Sequence, residues 1–152
     1  MRRLATGKFY CNVYRVGLRR TRRPKSVLIV DDVEDNRRIY AMFLQFEGFK
    51  VTTAVDGHDA LNQARAHPPD LVVMDLAIPG IDGWEVTRTL KRDGRTRAIP
   101  VIAVTGHALA GAEARARAAG CDAFLTKPCL PDTLSREIHR ILKLRPRRGT
   151  RR

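Results

Sequence analysis

Leu71-Val72-Val73-Met74-Asp75 is a continuously apolar run that closes on a carboxylate. Apolar residues without alternation fit a strand covered on both faces, the state of strands inside a parallel sheet. The same form recurs upstream in Val27-Leu28-Ile29-Val30, which runs into Asp31-Asp32, and downstream in Ile99 to Val104, which runs into Thr105. Val51-Thr52-Thr53-Ala54 and Ala123-Phe124-Leu125 complete five such runs, the last followed by Lys127-Pro128. Stretches long enough for crossover helices separate them. Residues 36–47 place Ile39, Phe43 and Phe46 on one helical face, and residues 131–144 do the same with Leu134, Ile138, Ile141 and Leu142. Asp82 opens an Asp-x-x-Glu capping box with Glu85, Gly120 stands where the run 108–119 needs a C′ residue, and Pro131 suits a first helical turn. Five β-α units in succession predict an α/β, doubly wound domain with both faces of a parallel sheet covered.

The chain has 152 residues, enough for one domain, and its 43% hydrophobic content excludes a wholly disordered polymer. The formal charge of +13 is unevenly placed. Residues 1–25 carry nine basic residues and no acid, and residues 143–152 carry six and none. The segment 26–142 therefore holds 14 basic and 16 acidic residues, a balance of −2, so the fold itself is not a basic nucleic-acid module. No apolar run approaches the roughly 20 residues of a membrane span, and the amino terminus lacks the apolar stretch of a secretory signal. Cys11, Cys121 and Cys129 show no metal-binding or redox spacing, which suits a reducing, cytoplasmic compartment.

Ligands of open parallel sheets bind outside the carboxyl ends of the strands. Strand one ends at Asp31-Asp32, strand three at Asp75, strand four at Thr105 and strand five at Lys127-Pro128. Taken singly each is ordinary: acidic pairs after strands are common caps, and Lys127 could be any surface lysine. Taken together they bring three carboxylates, a hydroxyl and an ammonium to one edge. Carboxylates so placed repel one another, and a divalent cation relieves the repulsion. All-oxygen ligation favours Mg²⁺, with Mn²⁺ as the alternative, over zinc. A divalent cation beside a lysine also suits a phosphoryl group attacked by a carboxylate.

Val30-Asp31-Asp32, Met74-Asp75-Leu76-Ala77-Ile78-Pro79-Gly80-Ile81-Asp82-Gly83, Ala103-Val104-Thr105-Gly106 and Phe124-Leu125-Thr126-Lys127-Pro128 resemble the receiver domain of two-component response regulators, over about residues 26–144. The resemblance implies a flavodoxin-like, five-stranded sheet of order 2-1-3-4-5 with five helices. It implies that Asp75 takes a phosphoryl group from a sensor histidine kinase or phosphotransfer protein. Mg²⁺ would be held by Asp32 directly, by Asp31 mostly through water, by Asp75 and by the backbone carbonyl of Ala77. Lys127 would pair with Asp75 and then with the phosphoryl oxygens, Thr105 would move to hydrogen-bond them, and Phe124 holds the family's aromatic switch position, unless it is plain core. Lys127-Pro128 would be cis. The chain would act in its own Mg²⁺-dependent phosphorylation and dephosphorylation without being an enzyme on other substrates. Ile78 stands where methionine is commoner, Ala77 brings no side-chain amide to the site, and His107 either acts on the attacking water or simply starts a helix.

The output implied is a protein contact through helix four, strand five and helix five, where Arg115, Arg117, Arg136 and Arg140 are otherwise ordinary solvated residues. With only Arg145 to Arg152 after the domain, the chain reads as a stand-alone receiver. Phe9, Tyr10 and Tyr14 lie among basic residues, a mix suited to single-stranded nucleic acid or an anionic membrane, against the simpler readings of a disordered solubilising arm or of sequence ahead of the natural start of translation. A dehalogenase-type aspartate phosphatase would leave Asp75 without a role. A flavodoxin-like cofactor carrier fails because Asp31-Asp32-Val33-Glu34 would repel a phosphate.

Overall fold

The computed structural model describes residues 23–106 and 110–144; the tail residues 1–22 and 145–152, with Phe9, Tyr10 and Tyr14, and His107 lie outside them. Five strands, β1 (Ser26–Val30), β2 (Lys50–Ala54), β3 (Leu71–Asp75), β4 (Val101–Thr105) and β5 (Ala123–Thr126), alternate with five helices. These are α1 (Glu34–Phe46), α2 (Gly57–Ala66), α3 (Gly83–Arg92), α4 (Ala112–Ala119) and α5 (Pro131–Ile141). All pairings are parallel and the strand order is β2-β1-β3-β4-β5, as the resemblance implies.

Alternation along each strand divides the core into two layers. Val27, Ile29, Leu71, Val73, Ile102 and Val104 pack toward Tyr40 and Leu44 of α1 and Leu134 and Ile138 of α5. Leu28, Val30, Val72, Met74, Val101 and Ala103 pack toward α2, α3 and α4. The three central strands are buried at nearly every position, which explains their unbroken apolar runs. Strand β2 lies at the edge and buries only Ala54 fully, so threonines are tolerated there.

Local signals are obeyed with instructive exceptions. The Asp82 side chain caps α3 by accepting from the Glu85 N–H at 2.9 Å, but Glu85 turns to Arg88 and leaves the box half formed. Gly120 ends α4 in the left-handed region with φ 102°. Lys25, grouped above with the basic residues 1–25, is tied to the domain: its carbonyl accepts from the Lys50 N–H, and its ammonium lies 3.4 Å from Asp70.

The expected inward face of α1 is wrong. Ile39 and Phe46 are 54% and 83% exposed, Met42 beside them is 67% exposed, and the helix docks through Tyr40 and Leu44 with Phe43 partly buried. This helix carries two adjacent apolar stripes, and periodicity alone does not say which one meets the sheet. Tyr40 settles the rotation, because its hydroxyl donates to the Cys129 carbonyl at 2.8 Å.

Gly83 sets how closely α3 begins to the end of β3. A β-carbon there would lie 2.6 Å from the Asp75 carbonyl oxygen and 2.7 Å from the Leu76 α-carbon, both backbone atoms. Gly83→Ala must push α3 away from the Asp75 loop. The expected cost is about 1–3 kcal/mol of stability, typical of overpacking. Thermal unfolding checks it, and an unchanged midpoint would show that the helix start can slide freely.

Candidate functional site

The carboxyl edge of the sheet collects the polar residues singled out from sequence. Asp31 follows β1, Asp75 is the last residue of β3, Thr105 is the last of β4, and Lys127 follows β5. Asp31 and Asp75 are 3% and 5% exposed, which is unusual for carboxylates unless they are paired. The Lys127 ammonium pairs with both, at 2.8 Å from Asp31 Oδ2 and 2.9 Å from Asp75 Oδ2. The second oxygen of Asp75 accepts from the Ala77 N–H at 2.9 Å, and that of Asp31 from the Val33 N–H at 2.8 Å. Asp32 stays exposed beside them. Ligand oxygens of Asp31, Asp32 and Asp75 lie within 4.8 Å of one another. With Lys127 included, the group still carries three negative charges against one positive. Its all-oxygen donor set and residual charge of −2 fit a hard divalent cation.

Two further partners of Asp31 were not read from the sequence. Asn36 donates its side-chain amide to Asp31 Oδ2 at 3.1 Å, and Arg37 donates to the Asp31 carbonyl at 2.7 Å. Both lie in the first turns of α1, which has no side-chain cap at Val33. The signal available was an amide five residues after the first aspartate, meaningful only once the chain is known to turn back on itself there.

Thr105 is buried, and its carbonyl accepts from the Lys127 N–H at 2.9 Å. A cavity of about 240 Å³ lies against it, lined by Leu76, Ala77, Trp84 and Arg115 among others. Arg115 of α4 covers the Trp84 ring, with Cζ 4.9 Å from the centroid. Phe124 is half-buried and packs on the α2, α3 and α4 layer. On the other side of Lys127 a groove of about 500 Å³ is lined by Asn36, Ile39, Tyr40, Pro128 and Pro131. The Lys127–Pro128 peptide is cis, as the resemblance implies. A separate groove of about 570 Å³, with Arg23, Lys50 and His67, lies by Ser26 and Lys50, which begin β1 and β2, away from the carboxylates.

Burial works against the Lys127 charge, but the hydrogen bonds from Asp31 and Asp75 and their negative charges outweigh it and hold its pKa above the ordinary lysine value. A raised pKa contributes stability that is fully present below the unfolded lysine value, about 10.4, and is lost as pH rises through the folded value. The contribution is thus constant across neutral pH. Relief of carboxylate repulsion predicts that removing Asp31 or Asp32 costs nothing without metal; the pairing restricts that to Asp32, because Asp31 is a partner of Lys127. Lys127→Met should lower metal-free stability by about 1–3 kcal/mol, below the figure for a fully buried pair because the lysine side chain is 22% exposed. Added Mg²⁺ should restore more stability to the variant than to the parent. Paired thermal melts in chelator and in Mg²⁺, extended to alkaline pH where the two proteins should converge, check both statements.

No helix of the described residues is long and apolar enough to cross a membrane. The response regulator receiver domain pattern matches residues 27–139. A polar-differentiation response regulator DivK from Brucella anthropi is 45% identical over 105 residues, covering 69% of this chain and 85% of that protein. Among solved structures, the chemotaxis response regulator CheY4 of Vibrio cholerae superposes with a TM-score of 0.74 at 28% identity, over 78% of this chain and 99% of that one. A CheY-like receiver domain protein from Methanospirillum hungatei gives 0.75 at 27% identity, over 80% and 95%. By fold, by sequence match and by relatives alike, the chain belongs to the response regulator receiver domains, which serve two-component phosphorelay signalling.

Proposed function

We propose that Asp75 is the phospho-acceptor, receiving a phosphoryl group from a phosphohistidine of a sensor histidine kinase or phosphotransfer protein. The observation that carries this is the Asp75 carboxylate itself, buried at the strand end with one oxygen on the Ala77 N–H and the other on Lys127. In the transfer an Asp75 oxygen attacks phosphorus, the O–P bond forms as the donor's N–P bond breaks, and the imidazole nitrogen departs and takes up a proton. Lys127 neutralises charge on the transferred group. Asp31, Asp32, Asp75 and the Ala77 carbonyl would hold Mg²⁺, or Mn²⁺, whose chemistry is to screen the phosphoryl oxygens.

An acyl phosphate at Asp75 replaces one negative charge by about two and adds acceptor oxygens. Thr105 and Lys127 are the side chains placed to answer it. Movement of Thr105 alters the cavity beneath α4, and Phe124, packed on the same layer, is the switch residue in this reading. The output is a protein contact through α4, β5 and α5. The exposed stripe Ile39, Met42 and Phe46, with Leu130 near Lys127, suits a donor helix laid along α1. The chain works in the cytoplasm, its tails acting as solubilising arms.

Asp75→Asn should keep the fold and abolish Mg²⁺-dependent labelling by a small phosphodonor, read as intact mass. Undiminished labelling at the same site would overturn the assignment. Met42→Glu, 67% exposed and outside the carboxylate cluster, should leave labelling by the small donor unchanged. It should slow transfer from a phosphorylated protein donor by about tenfold, the equivalent of 1.4 kcal/mol in the docking step.

A further inference from the structure

Asp31 is a buried carboxylate with several donors, and they are of three kinds. Lys127 is a cation shared with Asp75, and in the proposed function it turns to a phosphoryl group there. The Val33 N–H is a fixed backbone group. Asn36 is a neutral side chain whose amide reaches Oδ2 at 3.1 Å and Oδ1 at 3.4 Å, so it overlaps the oxygen that Lys127 holds at 2.8 Å. Asn36 sits in the first turn of α1, where glutamate is the usual companion of a capping box; a glutamate there would face Asp31 with a like charge. Arg37 fastens the neighbouring backbone by donating to the Asp31 carbonyl at 2.7 Å.

We propose that Asn36 is a positioning residue of the phosphoryl site: its amide fixes the Asp31 carboxylate toward the divalent cation and remains on Oδ2 when Lys127 turns to the phosphoryl group. The proposal rests on the acceptor role given above to Asp75. A neutral donor is the right chemistry for this task. It orients the carboxylate without cancelling the negative charge that the cation needs, whereas a second cation at this place would compete with the metal. Metal sites depend on such partners of their ligands, whose removal typically costs about 10–100-fold in affinity.

The test uses the full chain with Asn36→Ala and Asn36→Leu, the second keeping side-chain bulk while removing the donor. Mg²⁺ affinity is measured by calorimetry in the absence of any phosphodonor, and thermal midpoints are taken in chelator. Both variants should bind Mg²⁺ about tenfold more weakly than the parent, toward the lower end of the usual range because Asn36 is half-buried. Their labelling at limiting Mg²⁺ should fall by a similar factor and recover in part at saturating Mg²⁺. Affinity within twofold of the parent in both variants would overturn the proposal, and so would a lowered melting midpoint with unchanged affinity, which marks Asn36 as a helix-start residue only. Asp75→Asn run in parallel separates the two ideas: labelling lost there with normal Mg²⁺ binding in the Asn36 variants removes only the role of Asn36, whereas labelling retained removes the acceptor assignment beneath it.

Discussion

One ammonium shared by two buried carboxylates organises this molecule. Asp31 and Asp75 end neighbouring strands, so their charges are forced together, and neither is exposed enough for water to screen them. A buried carboxylate left unpaired costs several kcal/mol. Lys127 offsets that cost from β5, two strands from Asp75 and three from Asp31, reaching past the end of β4 where Thr105 stands. The loop that carries Lys127 must therefore be held in register, and the Tyr40 hydroxyl does this by donating to the Cys129 carbonyl from α1. Strands β1, β3 and β5 and helices α1 and α5 are thus tied through a few atoms at one edge.

Most of that edge was legible in the sequence because parallel strands hide little. Their apolar runs break only where the chain leaves the sheet, so Asp31, Asp75, Thr105 and Lys127 announce both a strand end and a candidate ligand. The helices were less transparent. Two apolar stripes on α1 competed for the core, and the stripe chosen from periodicity contained Ile39 and Phe46, which face outward. Asn36 and Arg37 were silent for a different reason. Their partners are the side chain and the carbonyl of Asp31, and only the path of the turn between β1 and α1 brings them together. Gly83 was quoted within a motif, yet its physical reason, the approach of α3 to the Asp75 backbone, depends on a packing distance that no residue pattern encodes.

Charge also reads differently in the fold. The arginines around α4 and α5 read from sequence as ordinary solvated residues, and Arg117, Arg136 and Arg140 pair with Glu113, Asp132 and Glu137 along their own helices. Exposed pairs of this kind contribute little to stability, and each neutralises the arginine it holds. Arg115 differs, because it lies over Trp84 and joins α4 to α3 beside the cavity at Thr105. Of these four arginines it is the one with a contact to another helix, whereas the other three pair within their own.

The sheet separates two consequences of any change at Asp75. On one side of Lys127 lie Asn36, Ile39 and Pro128, continuous with the exposed stripe of α1; on the other lie Thr105, Trp84 and Arg115. Lys127 belongs to both sides through its side chain, which reaches Asp31, and through its backbone N–H, which donates to the Thr105 carbonyl. In the proposed reading, a phosphoryl group on Asp75 would compete with Asp31 for the ammonium and would draw on Thr105 at the buried strand end. The side chain of Lys127 can swing while its backbone stays paired with β4, so the α1 side can respond by exchange of an ion-pair partner alone. The α4 side has no such freedom: Thr105 is the buried last residue of β4 and lines the cavity beside Trp84, so a movement of its hydroxyl would disturb the packing there. Packed side chains rearrange between discrete arrangements rather than deforming smoothly. In the proposed reading, a phosphoryl group on Asp75 would thereby switch the α4 side between discrete packings, while the α1 side would answer by exchange of an ion-pair partner.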